Sequence, residues 1–340
     1  MGEQLVSVIM TNYNTREEYL RCAIESILNQ TYRNFEFIII DDGSNDGSPN
    51  IIKEYQTGDG RIKLFFNGEN KGITKSLNTA LSKASGEFIA RMDADDESLP
   101  RRIEKQVLFM NENPDVIACG SYIHFIGDAA ENKKDRKIDI AERNEFRIRL
   151  LFGNQMNICH PSAMFRKSML DGFSIRYFER YPVAQDYRMW VECSKYAQCA
   201  NVPEMLFNYR INSGAVSVTK AQLQRQCTQN IIKEQLDAMG VVLTDEIFSL
   251  HYGYLTDRKF YSEELYDWLC SLIEANRRTS SYDNDVFERL IWSKWADIIY
   301  HTWRSPKEKY SLSAMLKTLP ADYKREFLKL TAKRLVGKKR

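Results

Sequence analysis

The stretch Gly86-Glu87-Phe88-Ile89-Ala90-Arg91-Met92-Asp93-Ala94-Asp95-Asp96 decides how the rest of the chain is read. An apolar run breaks off into three carboxylates within four residues. A strand buried on both faces of a parallel sheet reads as a short, nearly continuous apolar run. In open α/β sheets, ligands sit just beyond the carboxyl ends of such strands. Three acids packed there repel one another unless a cation shares the site, and aspartate oxygens suit hard divalent ions such as Mg²⁺ or Mn²⁺. The competing reading is a solvated acidic turn capping the helix that Pro100 starts. The neighbouring sequence decides between the two.

Upstream, three further apolar runs read as strands: Leu5 to Met10, Phe35 to Ile40 and Arg61 to Phe66. A helix is predicted after each. Thr15 and Glu18 have capping-box spacing, and Leu20, Ala23, Ile24, Ile27 and Leu28 recur along one helical face. Ser48-Pro49 offers a polar N-cap and a proline at the first helical position, and Thr74 to Ala84 forms the third helix. With Phe88 to Met92 as the fourth strand, the β-α-β-α-β-α-β alternation predicts an α/β fold with a parallel sheet covered on both faces. Downstream the order loosens. Helices are expected over Arg101 to Asn111, Glu145 to Phe152 and Asp186 to Tyr196. One or two strands are expected over Val116 to Ile126, and short ones over Ser162 to Phe165 and Met205 to Tyr209, with a charged loop from Asp128 to Asp139. From Lys220 onward strand alternation disappears and apolar residues recur at helical spacing, as in Ile291-Trp292-Trp295-Ile298-Ile299-Trp303. The expected division is residues 1–219 and a mostly helical region, residues 220–340.

Composition narrows the function classes. The 340 residues are 43% hydrophobic and 28% charged, an ordinary globular balance. A formal net charge of +2 gives no global field for nucleic acid, and none is expected as a partner. The 7 cysteines are scattered without a CxxC pair, which argues for a reducing compartment. No signal peptide and no run of about 18 apolar residues is evident. A cytoplasmic location is expected; the basic end (Lys333-Arg334-Leu335-Val336-Gly337-Lys338-Lys339-Arg340) reads as a solvated terminus, with a peripheral contact on the inner face of the membrane as the alternative.

If the sheet is doubly wound, strands 1 and 4 flank the switch point and several strand ends open into one crevice. These are Thr11-Asn12-Tyr13-Asn14, Asp41-Asp42-Gly43-Ser44 and Asp93-Ala94-Asp95-Asp96, with Asn70-Lys71-Gly72 between them and Asn78 on the following helix. Tyr13 can stack on a base, a carboxylate can accept from a ring N–H, and Asp95 can hold a metal that bridges phosphates. The set would grip a nucleotide diphosphate. Each piece also has a plainer reading: Asp41-Asp42-Gly43 and Asn70-Lys71-Gly72 as turns, Asp186 as a helix N-cap, the tryptophan stripe as core or interface.

Residues 5–213 resemble the family 2 glycosyltransferases. The likeness rests on Val6-Ser7-Val8-Ile9-Met10-Thr11-Asn12-Tyr13-Asn14, Ile39-Ile40-Asp41-Asp42-Gly43-Ser44-Asn45-Asp46, Asn70-Lys71-Gly72 and Asp93-Ala94-Asp95-Asp96, and further on His160-Pro161, Gln185-Asp186 and Tyr209-Arg210. The resemblance implies the GT-A fold and a hexosyl- or N-acetylhexosaminyl-transferase acting on a nucleotide-diphosphate sugar, most often a UDP-sugar, with Mn²⁺ or Mg²⁺. It implies that Tyr13 and either Asp41 or Asp42 meet the base, that Asp93 binds the ribose or a metal-bound water, and that Asp95 is the direct metal ligand. Asp186 falls at the position of the general base, and the acceptor is a glycan, often lipid-linked, in surface-polysaccharide synthesis. Inversion by a single displacement follows from that set. Two positions depart from the family pattern. Gln185 stands where Glu is usual, which bears on the acceptor, and Asn212 stands where a His is usual, which shifts work on the diphosphate or metal towards His160 and Arg210. There is no Gln-x-x-Arg-Trp, the mark of processive synthases. A dinucleotide-binding oxidoreductase is disfavoured because the first turn, Thr11 to Asn14, lacks glycine. A non-catalytic nucleotide-sugar or glycan-binding module remains the alternative, resting on Gln185. The helical end is expected to serve the acceptor, a membrane surface, or a homodimer.

Overall fold

The computed structural model describes residues 3–131, 133–153, 158–211, 220–256, 261–305 and 310–336. The elements of the first part run β1 (Val6–Asn12), α1 (Glu17–Leu28), β2 (Phe35–Asp41), α2 (Ser48–Gly58), β3 (Ile62–Phe66), α3 (Ile73–Lys83) and β4 (Phe88–Asp93). There follow β5 (Glu97–Ser98), α4 (Arg102–Glu112), β6 (Val116–Ile126), α5 (Arg143–Leu151), β7 (Met164–Arg166), α6 (Lys167–Gly172), α7 (Gln185–Tyr196) and β8 (Gln198–Arg210). The eight strands form one sheet in the order β3-β2-β1-β4-β7-β6-β8-β5. β1 pairs in parallel with both β2 and β4, so chain order reverses at β1 and the β1–β4 junction is the switch point. Beyond β4 the sheet turns mixed: β7 runs antiparallel to β4 and to β6, and β8 parallel to β6.

The apolar runs become central strands for the reason their composition suggests. Val6, Val8, Ile9, Met10, Phe37, Ile38, Ile39 and Ile40 are all fully buried, because helices cover both sheet faces. α1 turns Leu20, Ala23, Ile24 and Ile27 inward, and α3 Leu77, Ala80 and Leu81. Gly86, just before β4, permits the close approach that seats the strand: a Cβ there would lie 2.6 Å from the Ser7 backbone nitrogen and 2.7 Å from the Leu5 oxygen.

Several local expectations change. The Thr15–Glu18 capping box does not form. Helix α1 starts one residue later, with Arg16 at the N-cap and no side-chain cap. Gly47, rather than Ser48, caps α2, and Ser48 enters the helix while its N–H donates to Asp46 Oδ1 at 2.9 Å. Val116 to Ile126 is one strand. Asp186 is not an N-cap, since Ala184 holds that place.

The chain divides into two compact units, residues 1–146 with 155–228, and residues 147–154 with 229–340. The second is helical, with helices at Asp245–Thr256, Glu263–Thr279, Asn284–Trp303, Leu312–Lys317 and Ala321–Val336. Its core holds Trp295, Phe287, Leu269 and Leu272. Ser262, Asp283 and Ser311 cap their helices by accepting from Leu265, Val286 and Ala314 N–H. Of the tryptophan stripe, Trp295 is buried and Trp303 exposed. Among the described residues no helix is long and apolar enough to cross a membrane.

Candidate active site

The crevice begins at Asn12, buried at the end of β1. Its Nδ2 donates to Asp41 Oδ1 (2.8 Å) and Ser48 Oγ (2.9 Å), with Ser44 Oγ at 3.1 Å. Ser44 N–H donates to Asp41 Oδ2 (3.1 Å), and Ser44 Oγ accepts from Asn14 N–H (3.0 Å). Asn14 takes the left-handed conformation, φ 49°, which asparagine tolerates, and its Oδ1 accepts from Asn45 N–H (2.9 Å). These bonds tie the loop after β1 to the loop after β2. They leave Tyr13 49% exposed.

Asp42 braces the next loop. Its Oδ1 accepts from Asn67 Nδ2 (2.7 Å) and Lys71 N–H (2.9 Å), its Oδ2 from Gly72 N–H (2.9 Å). Gly43, at φ 76°, lets the two loops touch: a Cβ would lie 2.5 Å from the Glu69 carbonyl carbon and 2.7 Å from the Asn70 nitrogen. Thr11, Tyr13, Asn14, Asp41, Asp42, Asn70, Lys71 and Gly72 therefore share one rim. Asp41 and Asp42 are buried and act as braces within it, while the Asn70 and Lys71 side chains are exposed.

At the end of β4, Asp93, Asp95 and Asp96 each bring a carboxylate oxygen within 4.8 Å of the others. Ala94 is buried between them. Burial, reinforced by the Asp93 charge, pushes Asp95 up to about 6. Burial, then Asp93 and Asp95, hold Asp96 well above the usual carboxylate range. Asp96 Oδ1 accepts from Arg210 N–H (2.7 Å), and its buried Oδ2 has no hydrogen-bond partner among the described residues. Three clustered carboxylates, two of them raised in proton affinity, around an unpartnered buried oxygen fit a hard divalent cation, whose charge would relieve the repulsion.

Asp186 sits in the first turn of α7. The chain enters that helix through Ala184 in the left-handed region, φ 59°, an uncommon conformation for a residue with a Cβ. Burial raises the Asp186 pKa, as the Asp93 charge also does, while the Tyr187 N–H (2.8 Å) and the Arg91 charge oppose the rise. Asp186 is thus within electrostatic reach of the acid cluster.

Two expected participants are placed differently. His160 is not among the clustered acids. It is buried, its Nε2 pairs with the Tyr177 hydroxyl (2.7 Å), and its ring packs edge-on to Tyr177 and Trp190. Burial, aided by the Arg91 charge, keeps it neutral. The Arg210 guanidinium is occupied inside the site: Nε donates to the Asp95 carbonyl (2.7 Å), Nη2 pairs with Glu97 (2.6 Å), and the group lies over Tyr19. Asn212 lies outside the described residues. Arg91 escaped the sequence reading altogether. Fully buried in β4, it pairs with Asp93, and its Nε and Nη1 have no partner among the described residues. The available signal was an arginine in the middle of an apolar strand.

A doubly wound sheet with an acid cluster at its switch point defines a class, the proteins of GT-A fold. Comparison with known proteins gives the family. The model described as Glycosyl transferase family 2 matches residues 7–173. An uncharacterised glycosyltransferase of Methanocaldococcus jannaschii is 38% identical over 62% of this chain and 72% of its own. The UDP-Glc:alpha-D-GlcNAc-diphosphoundecaprenol beta-1,3-glucosyltransferase WfgD of Escherichia coli is 28% identical over 74% and 92%. Among solved structures, S. aureus TarS 1–349 in complex with UDP-GlcNAc superposes with a TM-score of 0.57 at 17% identity, covering 94% of this chain and 89% of that one. The Pyrobaculum calidifontis mannosyltransferase PcManGT in complex with GDP-Man and Mn²⁺ gives 0.50 at 16%, covering 97% and 86%. The chain belongs to the family 2 glycosyltransferases and is a glycosyltransferase.

Proposed function

We infer that the chain catalyses an inverting, divalent-metal-dependent transfer of a sugar from a UDP-sugar to a hydroxyl of a glycan or lipid-linked glycan acceptor, in surface-polysaccharide synthesis. The observation that carries the reading is the convergence of Asp93, Asp95 and Asp96 at the carboxyl end of β4. The donor and metal named for TarS and PcManGT, and the lipid-linked acceptor named for WfgD, support the finer terms.

Tyr13 stacks on the base, and Asp41 or Asp42 accepts from its ring N–H with a lone pair not spent on the loops. Lys71 reaches the phosphates. Asp95 is the direct ligand of Mn²⁺ or Mg²⁺, Asp93 meets the ribose or a metal-bound water, and Asp96 holds the end of β8. When bound, the ion neutralises the charge that develops on the departing diphosphate. Asp186 takes the proton of the acceptor hydroxyl, which is a poor nucleophile without a base. Its raised proton affinity matches that task better than an ordinary carboxylate would. Arg210 positions the Asp95–Glu97 segment. Residues 1–219 carry this chemistry, and residues 220–340 serve the acceptor, a membrane surface or self-association.

The test follows UDP release with Mn²⁺ or Mg²⁺ in the wild type, Asp95→Ala and Asp186→Asn. Each substitution is expected to cost roughly 10²–10⁴-fold in turnover. Undiminished turnover in both variants overturns the mechanism.

A further inference from the structure

Asn78 was expected in the crevice as part of the nucleotide grip, but its amide is spent elsewhere. Nδ2 donates to the Tyr177 carbonyl (2.8 Å), and Oδ1 accepts from the Tyr177 N–H (2.9 Å). One side chain thereby closes both backbone groups of a residue 99 positions away. Thr74, one turn earlier on the same face of α3, donates from Oγ1 to the Tyr181 carbonyl (3.0 Å). The Tyr177 hydroxyl is fixed at its far end by His160. The segment held in this way runs straight into Ala184, the strained entry to α7, and so to Asp186 in the first turn.

The other end of α3 is anchored at the nucleotide rim. Gly72 is its N-cap, and the Gly72 and Lys71 N–H groups are held by the Asp42 carboxylate. A single helix, packed on β1 and β2, is thus fastened to the donor loops at its first residues and to the base-bearing segment along its side.

We propose that Asn78, assisted by Thr74, is a positioning residue for the acceptor-side base: it clamps the Tyr177–Ala184 segment to α3 so that Asp186 stands in fixed register with the donor site. The proposal rests on the reading of Asp186 as the base. Asn78 touches neither donor nor acceptor. It acts by denying the segment the freedom to shift, and a misplacement of about 1 Å at a reacting group can cost 10²-fold in rate.

The experiment is a double-mutant cycle on the full chain. It follows UDP release with Mn²⁺ from the fastest-used member of UDP-glucose, UDP-galactose and their N-acetylamino forms. Asn78→Ala is expected to lower kcat about ten- to hundredfold, while KM for the donor and the calorimetric affinity for UDP stay within about threefold. Asn78→Asp keeps the acceptor for the Tyr177 N–H and loses the donor, so its kcat should fall between the two. In an Asp186→Asn background, Asn78→Ala should cost less than about twofold, because the group it positions is gone. Thr74→Val, close in shape, removes the second fastening and is expected to lower kcat about three- to tenfold with the same pattern; it carries the test alone if Asn78→Ala does not fold. An equal loss in both backgrounds, or a loss confined to donor KM, overturns the clamp. Wild-type turnover in Asp186→Asn overturns the base assignment itself, and is read from that single variant before Asn78 enters.

Discussion

The two units bury their polar groups in opposite ways. In the sheet unit, Asn12 Oδ1, Arg91 Nε and Nη1, Asp96 Oδ2, Arg102 Nε and Nη2, Gln106 Oε1 and Trp190 Nε1 are buried without hydrogen-bond partners among the described residues. Among the described residues the helical unit has no such atom. There, His251 accepts from Trp268 Nε1 (3.2 Å) and donates to the Leu151 carbonyl (3.2 Å), and Thr302 Oγ1 accepts from Tyr261 N–H (2.8 Å). Asn276 grips the Tyr282 backbone at both N–H (2.9 Å) and carbonyl (3.1 Å), the same device as Asn78 on Tyr177 but across 6 residues instead of 99. A native fold leaves few buried polar atoms unsatisfied, and those it leaves need a reason. Two of the residues, Arg91 and Asp96, belong to the acid cluster and its immediate surroundings. Among the described residues the helical unit satisfies its buried polar groups internally, whereas the sheet unit leaves several unpaired around its candidate site.

The largest effect that sharpens this contrast belongs to Asp95→Ala. Turnover should fall on the order of a thousandfold, about 4 kcal/mol, while the metal-free melting temperature holds or rises because one of three repelling acids is gone. A melting temperature that falls in step with activity breaks the contrast. Trp295→Ala should do the reverse. It removes a fully buried ring and its bond to Thr318 Oγ1 (2.8 Å), at a cost of about 3–4 kcal/mol in denaturant unfolding. kcat of the fraction still folded should be unchanged.

A third measurement concerns pH. Asp95 titrates near 6 in the folded, metal-free protein, above its ordinary 3.8. The folded state therefore binds more protons than the unfolded one between these values, so this group's contribution to stability falls as pH rises through that window. The penalty at pH 7 is on the order of 2–3 kcal/mol. Melts with and without Mn²⁺ should show a stabilisation that is large at pH 7.5 and shrinks at pH 5, and that Asp95→Asn abolishes. An equal Mn²⁺ effect at both pH values counts against the buried-acid account. The smallest effect is Asn276→Ala, which should cost about 1–2 kcal/mol of stability by orphaning two buried backbone groups, with kcat unmoved.

The parallel half of the sheet was legible because buried central strands are apolar runs and their ligand-facing ends are abrupt polar loops. Thr11 to Asn14, Asp41 to Ser44 and Asp93 to Asp96 announced themselves in that way. The mixed half was less legible. Strand β8 carries Pro203 and Glu204, and its register against β6 shifts near Tyr122, so only the stretch Met205 to Tyr209 kept a strand pattern. Two-residue β5 has no periodicity to detect. The capping box failed because Thr15 stands one position before the true N-cap, a spacing no local pattern could exclude. The roles of Asn78 and His160 depend on partners 99 and 17 residues away, which is information that topology supplies and local spacing does not.

Gly43 sets a boundary for anyone who would retune this enzyme by directed evolution. The seam between the loops after β2 and β3 has room for a hydrogen atom and not for a methyl group. A library randomised at Asp41-Asp42-Gly43 would therefore return misfolded clones in place of new donor preferences. Diversity placed at Thr11, Tyr13 and Asn70, whose side chains brace no neighbouring loop among the described bonds, would leave the scaffold intact.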